Sequence, residues 1–157
     1  MPRLRLWIAG VLIALAPTHT LLHAETHFFQ TLVAARGGCG AINTLNIFGV
    51  RSDVEHKLYF GETDVKLFGK PVLDWSDDDI AAAIRTYKDC WVKLEAGETR
   101  GGRIKAPGIA PFAQGQIRQF ETILPALVMK ARNVDNLNKA QQNARIELEK
   151  APSKAGA

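Results

Sequence analysis

Cys39 and Cys90 are the only cysteines in the sequence, and such a pair can form a disulfide, bind a metal ion or supply a nucleophile. Two free thiols could hold zinc together with His27 and His56. The short-spaced ligand pairs of structural zinc sites are absent, however, and neither cysteine belongs to a C-x-x-C motif. An even cysteine count favours a disulfide if the chain leaves the reducing cytosol, a condition that the N-terminal residues described below indicate. The sequence therefore predicts a Cys39–Cys90 bond and no metal or other cofactor.

Acid–base and nucleophilic chemistry have few further candidates. Asp53, Glu55 and His56 stand close enough in sequence to form an acid–base or metal-binding group. The simpler interpretation makes His56 a surface or half-buried residue. Ser52 and Ser76 both match helix caps, and no G-x-S-x-G motif surrounds either serine. These observations argue against a serine hydrolase and, more broadly, against an enzyme.

The acidic segment that begins at Asp74 could bind calcium if it formed the loop of an EF-hand. Such a loop needs glycine at its sixth position and glutamate at its twelfth, where this sequence has Asp79 and Arg85. Helix capping explains the carboxylates without a metal. Ser76 can accept a hydrogen bond from the amide of Asp79, and the acidic side chains face the positive end of the helix dipole.

Glycine-rich and basic segments complete the set of motifs. The glycines at 37–40 and 101–102 match neither the dinucleotide-binding nor the phosphate-loop pattern. Arg100, Arg103 and Lys105 form a basic loop that has no interleaved aromatic residues. We therefore expect no nucleic-acid partner.

The N-terminus has the organisation of a secretory signal. Arg3 and Arg5 precede an uncharged apolar stretch from Leu6 to Ala16, and no acidic residue occurs before Glu25. This stretch has about eleven residues, whereas a membrane-spanning helix needs about twenty. We expect cleavage after Ala24 and no membrane span in the mature chain. Cleavage lowers the net charge from +4 to +2, because two of the 20 basic residues are lost and all 16 acidic residues remain.

The helix that follows Ser76 is the element best marked in the sequence. Trp75 and Ile80 stand at the two positions of a hydrophobic staple around the Ser76 cap. Apolar residues then recur at helical spacing, Cys90 borders their face, and Gly97 ends the helix. We expect the centre of the core to be formed by Trp75, Ile80, Ile84, Tyr87 and Trp91.

The region before this helix is predicted to contain a second helix and a hairpin. Apolar spacing predicts a helix over 28–35, which Gly37 and Gly38 end. The disulfide would tie this helix to the one that Ser76 begins. In residues 52–73 a capping-box pattern precedes an alternating pattern. We expect a helical turn at 53–57 and then two short strands that turn at 61–64.

The C-terminal part is predicted to be helical. Apolar residues keep helical spacing from Ala113 to Val134, and Pro125 within this run predicts a kink or a break. Residues 97–111 are predicted to form a flexible surface connection. After Asn136 the apolar pattern thins, so we expect an exposed helical end and a disordered tail over 151–157.

These elements predict a mainly α fold, with α+β as the alternative: a small helical domain with a short β-hairpin, one disulfide and a long C-terminal helix kinked or broken at Pro125. The predicted organisation is a signal peptide over 1–24, one domain over 25–150 and a tail over 151–157. We expect a periplasmic or secreted protein that binds a protein partner through its surface, as inhibitors do. A structural or assembly accessory of the cell envelope is the alternative, and a small enzyme is the third possibility.

Overall fold

A computed structural model of the chain describes residues 28–95 and 109–152. Within these ranges the chain is mostly helical and also forms two 3₁₀ helices and one antiparallel hairpin, so the predicted fold class is confirmed. The predicted signal peptide, the basic loop and residues 153–157 of the predicted tail lie outside the described residues. The α-helices are α1 (Phe28–Ala35), α2 (Ile47–Tyr59), α3 (Asp77–Glu95) and α4 (Ile109–Lys150).

Helix α1 ends at the two glycines, as predicted. Gly37 and Gly38 have φ values of 102° and 85°, which other residues rarely adopt. Their amides donate to the carbonyls of Ala34 at 3.1 Å and Val33 at 2.9 Å. This is the paired hydrogen-bond pattern of a Schellman motif, and it satisfies carbonyls that the helix end would leave free. The chain then enters the 3₁₀ helix Cys39–Thr44.

Helix α2 is longer than the predicted turn at 53–57. Asn46 caps its first turn, because the Asn46 side chain accepts a hydrogen bond from the amide of Phe48 at 2.9 Å. Ser52 therefore lies inside the helix, and the prediction that it caps one is wrong. Burial of Ile47, Val54 and Leu58 on one face stabilises these 13 residues as a helix, although several of them are poor helix formers.

The hairpin lies later in the chain than predicted. Its strands are β1 (Lys66–Leu67) and β2 (Lys70–Pro71), joined by Phe68 and Gly69. Both of these residues have positive φ, 52° and 89°, as a tight two-residue hairpin turn requires. The predicted turn at 61–64 is wrong because α2 continues to Tyr59. The alternation on which it was based belongs partly to the helix.

Helix α4 has 42 residues and runs through Pro125 as one element, so the chain does not break there. Buried residues on both sides of the proline, Leu124 and Leu127 among them, pack against the rest of the protein and offset the lost backbone hydrogen bond. The helix includes residues 109–111, which were predicted to be connection. From Lys139 to Lys150 every residue is exposed, which confirms the expected exposed end. No helix in the described ranges is both long enough and apolar enough to cross a membrane.

The core lies where α1, α3 and the hairpin meet α4. Phe120 of α4 is fully buried and stacks on Tyr87 of α3, with ring centroids 4.0 Å apart. The rings of Phe29 and Phe68 also contact Phe120, at 5.4 and 6.0 Å. Helix α2 packs along another side of α4. Helix α4 therefore packs against α2, α3 and the 3₁₀ helix Val72–Asp74, and it also contacts the ring of Phe29 in α1.

Candidate functional site

Cys39 and Cys90 form the predicted disulfide, with their Cα atoms 4.8 Å apart. Cys39 begins the 3₁₀ helix after α1, and Cys90 is buried on α3. The bond therefore ties the end of α1 to α3, as the sequence suggests. Metal binding and nucleophilic catalysis by cysteine both need a free thiolate, so neither is open to these residues while the bond is intact.

Ser76 begins α3 as predicted. Its hydroxyl oxygen accepts a hydrogen bond from the amide of Asp79 at 3.0 Å, and a carboxylate oxygen of Asp79 accepts one from the amide of Ser76 at 3.0 Å. This reciprocal pair is a capping box in which aspartate takes the place of the usual glutamate. Two amides that the helix start would leave free are thereby satisfied.

Two basic residues bind groups at the start of α3, and no sequence pattern predicted either of them there. Lys70 of β2 binds the carboxylate of Asp79 at 2.8 Å. Arg132 of α4 donates to the carbonyl of Trp75 at 2.7 Å and pairs with Asp77 at 2.9 Å. Burial alone would raise the pKa of Asp79, but the hydrogen bonds from Lys70 and Ser76 outweigh it and lower that pKa to about 2. The acidic cluster thus stabilises the helix start.

The predicted core stripe of α3 is displaced around the helix. Trp75, Tyr87 and Trp91 are buried as expected, whereas Ile80 and Ile84 are only half-buried and pack at the margin of the core. The centre of the buried face is instead formed by Ala82, Ala83, Tyr87, Cys90 and Trp91. Alanine is a weak signal in a pattern of apolar residues. The predicted face was therefore centred on the two isoleucines and not on the buried alanines.

Asp53, Glu55 and His56 do not form one site, because each side chain contacts a different neighbour on α2. Asp53 pairs with Lys57 at 3.0 Å, and Glu55 pairs with Arg51 at 3.3 Å. His56 places its ring 5.0 Å from that of Phe60. The two ion pairs join residues one helical turn apart, a spacing that stabilises helices modestly. Over residues 28–95 and 109–152, no group of three or more His, Cys, Asp or Glu side chains could hold a metal ion.

A groove lies between α2 and α4, and we call it the α2–α4 groove. Its cavity has a volume of about 170 Å³. The floor is apolar, since Ile123 and Leu127 are buried beneath it, and charged side chains of both helices form its walls. The lining residues are Arg51, Glu55, Thr122, Ile123, Ala126, Leu127 and Lys130.

Two exposed aromatic rings lie at the C-terminal end of α2. Tyr59 is 82% exposed and Phe60 65%, and their rings meet edge to face with centroids 5.3 Å apart. The amide nitrogen Nδ2 of Asn138 donates to the carbonyl of Gly61 at 2.9 Å, which holds this end of α2 beside α4. Leu137, the neighbour of Asn138, is 58% exposed. Apolar surface is therefore available near one end of the groove.

No pattern in the sequence identifies this surface. Its members belong to two helices that are far apart in sequence, and α2 was expected to end before Tyr59. Arg51, Glu55 and Tyr59 lie on one side of α2 at intervals of four residues, which is visible only when the helix is known to span Ile47–Tyr59. Comparisons with known protein families, with curated proteins and with solved structures give no match to this chain.

Proposed function

We propose that the protein is exported from the cytosol and that it binds another protein through its surface. Export is supported by the order of charges and apolar residues over 1–24. It is also supported by the disulfide, because such bonds persist in oxidising compartments and are rare in the cytosol. A periplasmic or secreted protein satisfies both observations.

The observation that carries the binding function is the exposed Tyr59–Phe60 pair. Large apolar surface left in contact with water is unfavourable, and where polar residues surround it, it commonly marks an interaction site. Tyrosine is among the residues that contribute most to binding at protein interfaces. The pair lies beside α4, so a partner could contact both helices. An inhibitor-like protein that covers a soluble enzyme would use a surface of this kind.

Export is tested by N-terminal sequencing of the protein recovered from the periplasm or the medium. We expect the mature chain to begin at or near Glu25. An intact Met1 on protein confined to the cytosol would overturn the export proposal. Binding needs a separate experiment, because an exported protein need not have a partner.

Binding is tested by placing a photo-crosslinking amino acid at Tyr59 in living cells, with the exposed Lys88 of α3 as the matched control position. We expect a crosslinked protein at Tyr59 and none at Lys88. A soluble enzyme as partner supports the inhibitor-like function, and a membrane or cell-wall protein supports the accessory function. Equal crosslinking at both positions, or none at either, contradicts binding through this surface.

A further inference from the structure

We propose that the α2–α4 groove is the docking site for an amphipathic helix of a partner protein, one whose apolar stripe is flanked by acidic residues. This proposal rests on the function proposed above, since it assigns the site and the chemistry of the partner. The apolar side chains of the partner helix would enter the groove. Its carboxylates would meet Lys130 and Arg51 on the two walls.

The two helices that form the groove run in the same direction. Arg51 and Glu55 of α2 line it opposite residues 122–130 of α4. Towards the C-terminal ends of these segments, Asn138 donates a hydrogen bond to the carbonyl of Gly61. The helices therefore run side by side in the same direction. A third helix can lie in the channel between two such helices, about 8–10 Å from each axis.

The exposed side of α2 that borders the groove is long enough for a partner helix of about three turns. Phe48, which is 45% exposed, and Tyr59 lie at opposite ends of α2 on the side that carries Arg51 and Glu55. Eleven residues of helix separate them, or about 16 Å. Helices that bind in grooves use anchor side chains at positions i, i+3 or i+4, and i+7. One further anchor at i+11 extends such a stripe to about 16 Å.

The cavity can hold one apolar side chain of the partner. An apolar cavity of about 150 Å³ is large enough for benzene. The groove offers about 170 Å³ above Ile123 and Leu127, and the small side chain of Ala126 leaves its entrance open. A leucine or phenylalanine of the partner would therefore be desolvated against an apolar floor.

The charges of the groove favour an acidic partner. Two of the lining side chains are cationic and one is anionic, and Glu55 already pairs with Arg51 at 3.3 Å. Lys130 makes no ion pair with any residue that the structure describes, so its charge is available to a partner carboxylate. Complementary charges across an interface contribute to its specificity and speed association.

The charges give a second copy of this chain no advantage in the groove. The exposed end of α4 contains three basic residues, Lys139, Arg145 and Lys150. Glu147 and Glu149 balance two of these charges, and Asp135 pairs with Lys139 at 2.6 Å. This segment therefore brings no excess of carboxylates to walls that have an excess of positive charge.

Three synthetic helical peptides of 18 residues test the proposal. They share one leucine stripe at positions i, i+4, i+7 and i+11 and carry glutamate, glutamine or lysine beside it. Binding to the mature protein is measured by isotope-edited NMR titration at low salt. We expect the affinity to fall in the order glutamate, glutamine, lysine, with at least a fivefold difference between the first and the last. The shifted amide signals should belong to residues 48–60 and 119–138.

Variants locate the site. Ala126→Trp fills the groove and should weaken binding of the glutamate peptide at least tenfold, while Ala140→Trp, on an exposed part of α4, should leave it unchanged. Lys130→Glu should reverse the preference between the glutamate and lysine peptides, and Lys88→Glu on α3 should not. Circular dichroism and thermal melts establish that each variant is folded.

Several results would overturn the groove proposal. They are equal affinity for the glutamate and lysine peptides, shifted signals outside the groove, the absence of binding, and concentration-dependent self-association through the groove residues. A partner that crosslinks to Tyr59 but is unaffected by Ala126→Trp would show that the protein binds elsewhere on its surface. In that case the proposed function stands and the groove assignment fails.

Discussion

The start of α3 and the α2–α4 groove are built in opposite ways. At the start of α3, charged groups are paired and polar groups are hydrogen-bonded. Asp79 binds Ser76 and Lys70. Arg132 binds the carbonyl of Trp75 and the carboxylate of Asp77. The disulfide ties the same helix to the region after α1. These interactions serve stability: Lys70 and Arg132 join the start of α3 to β2 and α4, and the Ser76–Asp79 hydrogen bonds cap the helix.

At the groove the helices pack through buried apolar residues, but their outer surfaces expose aromatic rings and a lysine that has no ion pair in the described part of the chain. Lys130 has no ion pair within the described ranges, and Tyr59 and Phe60 expose their rings to solvent. The difference yields a prediction that separates the stability of the fold from the proposed binding. Changes at the start of α3 should alter stability, whereas changes at the groove should alter binding at nearly constant stability.

The disulfide should give the largest effect. It closes a loop between residues separated by 51 positions, and its removal should lower the free energy of unfolding by about 4 kcal/mol. Urea unfolding of the oxidised protein and of the Cys39→Ala/Cys90→Ala variant measures this difference. Thiol labelling of denatured, unreduced protein should detect no free cysteine. Two labelled thiols would contradict the bond and return both cysteines to the set of reactive residues.

Ile84→Ala should have an intermediate effect. A fully buried isoleucine costs about 2–5 kcal/mol when it is replaced by alanine. Ile84 is half-buried at the margin of the core, so we expect a loss of about 1–2 kcal/mol in the same unfolding experiment. A loss above about 3 kcal/mol would contradict the position of Ile84 at the margin of the core.

Ser76→Ala should cost about 1 kcal/mol of stability, because it leaves the amide of Asp79 without its capping partner. Ser52→Ala is the matched control. Ser52 lies inside α2 and is exposed, so its replacement by a better helix former should not destabilise the protein. An equal loss for both variants would contradict the role of Ser76 as the cap of α3.

Asp79 should make stability depend on pH in the acidic range. Its pKa of about 2 in the folded protein lies below that of an unfolded aspartate, near 3.9. The unfolded state therefore binds the proton more readily, and the stability that Asp79 contributes is present above about pH 4 and lost as the pH falls towards 2. Urea midpoints between pH 2 and 6 should show a smaller acid loss for Asp79→Asn than for the wild type. Parallel curves would contradict this assignment.

Tyr59→Ala should have the smallest effect on stability, within about 0.5 kcal/mol, because its side chain is largely exposed. The same variant should reduce binding of the glutamate peptide, which contacts this end of the groove. Tyr87→Ala serves as the contrast, since Tyr87 is buried and stacked on Phe120. If Tyr59→Ala destabilises the fold by more than about 2 kcal/mol, the separation between a stabilising region and a binding region is wrong.

Features that depend on neighbouring residues follow from the amino-acid sequence alone. Gly37 and Gly38 end α1 because only glycine readily adopts their backbone angles. Ser76 begins α3 because its hydroxyl reaches an amide three residues away. The Cys39–Cys90 bond was predictable because two cysteines allow only one pairing.

Tertiary structure alone decided the features that depend on contacts between distant segments. Helix α2 extends over Ile47–Tyr59 because its buried face packs on α4, which outweighs the weak helix propensity of its first turn. Phe68 adopts a positive φ where its ring packs against Phe29 and Phe120. The α2–α4 groove exists only where these two helices meet. No local pattern specifies such surfaces, because the free energy that forms them comes from burial between elements far apart in the chain.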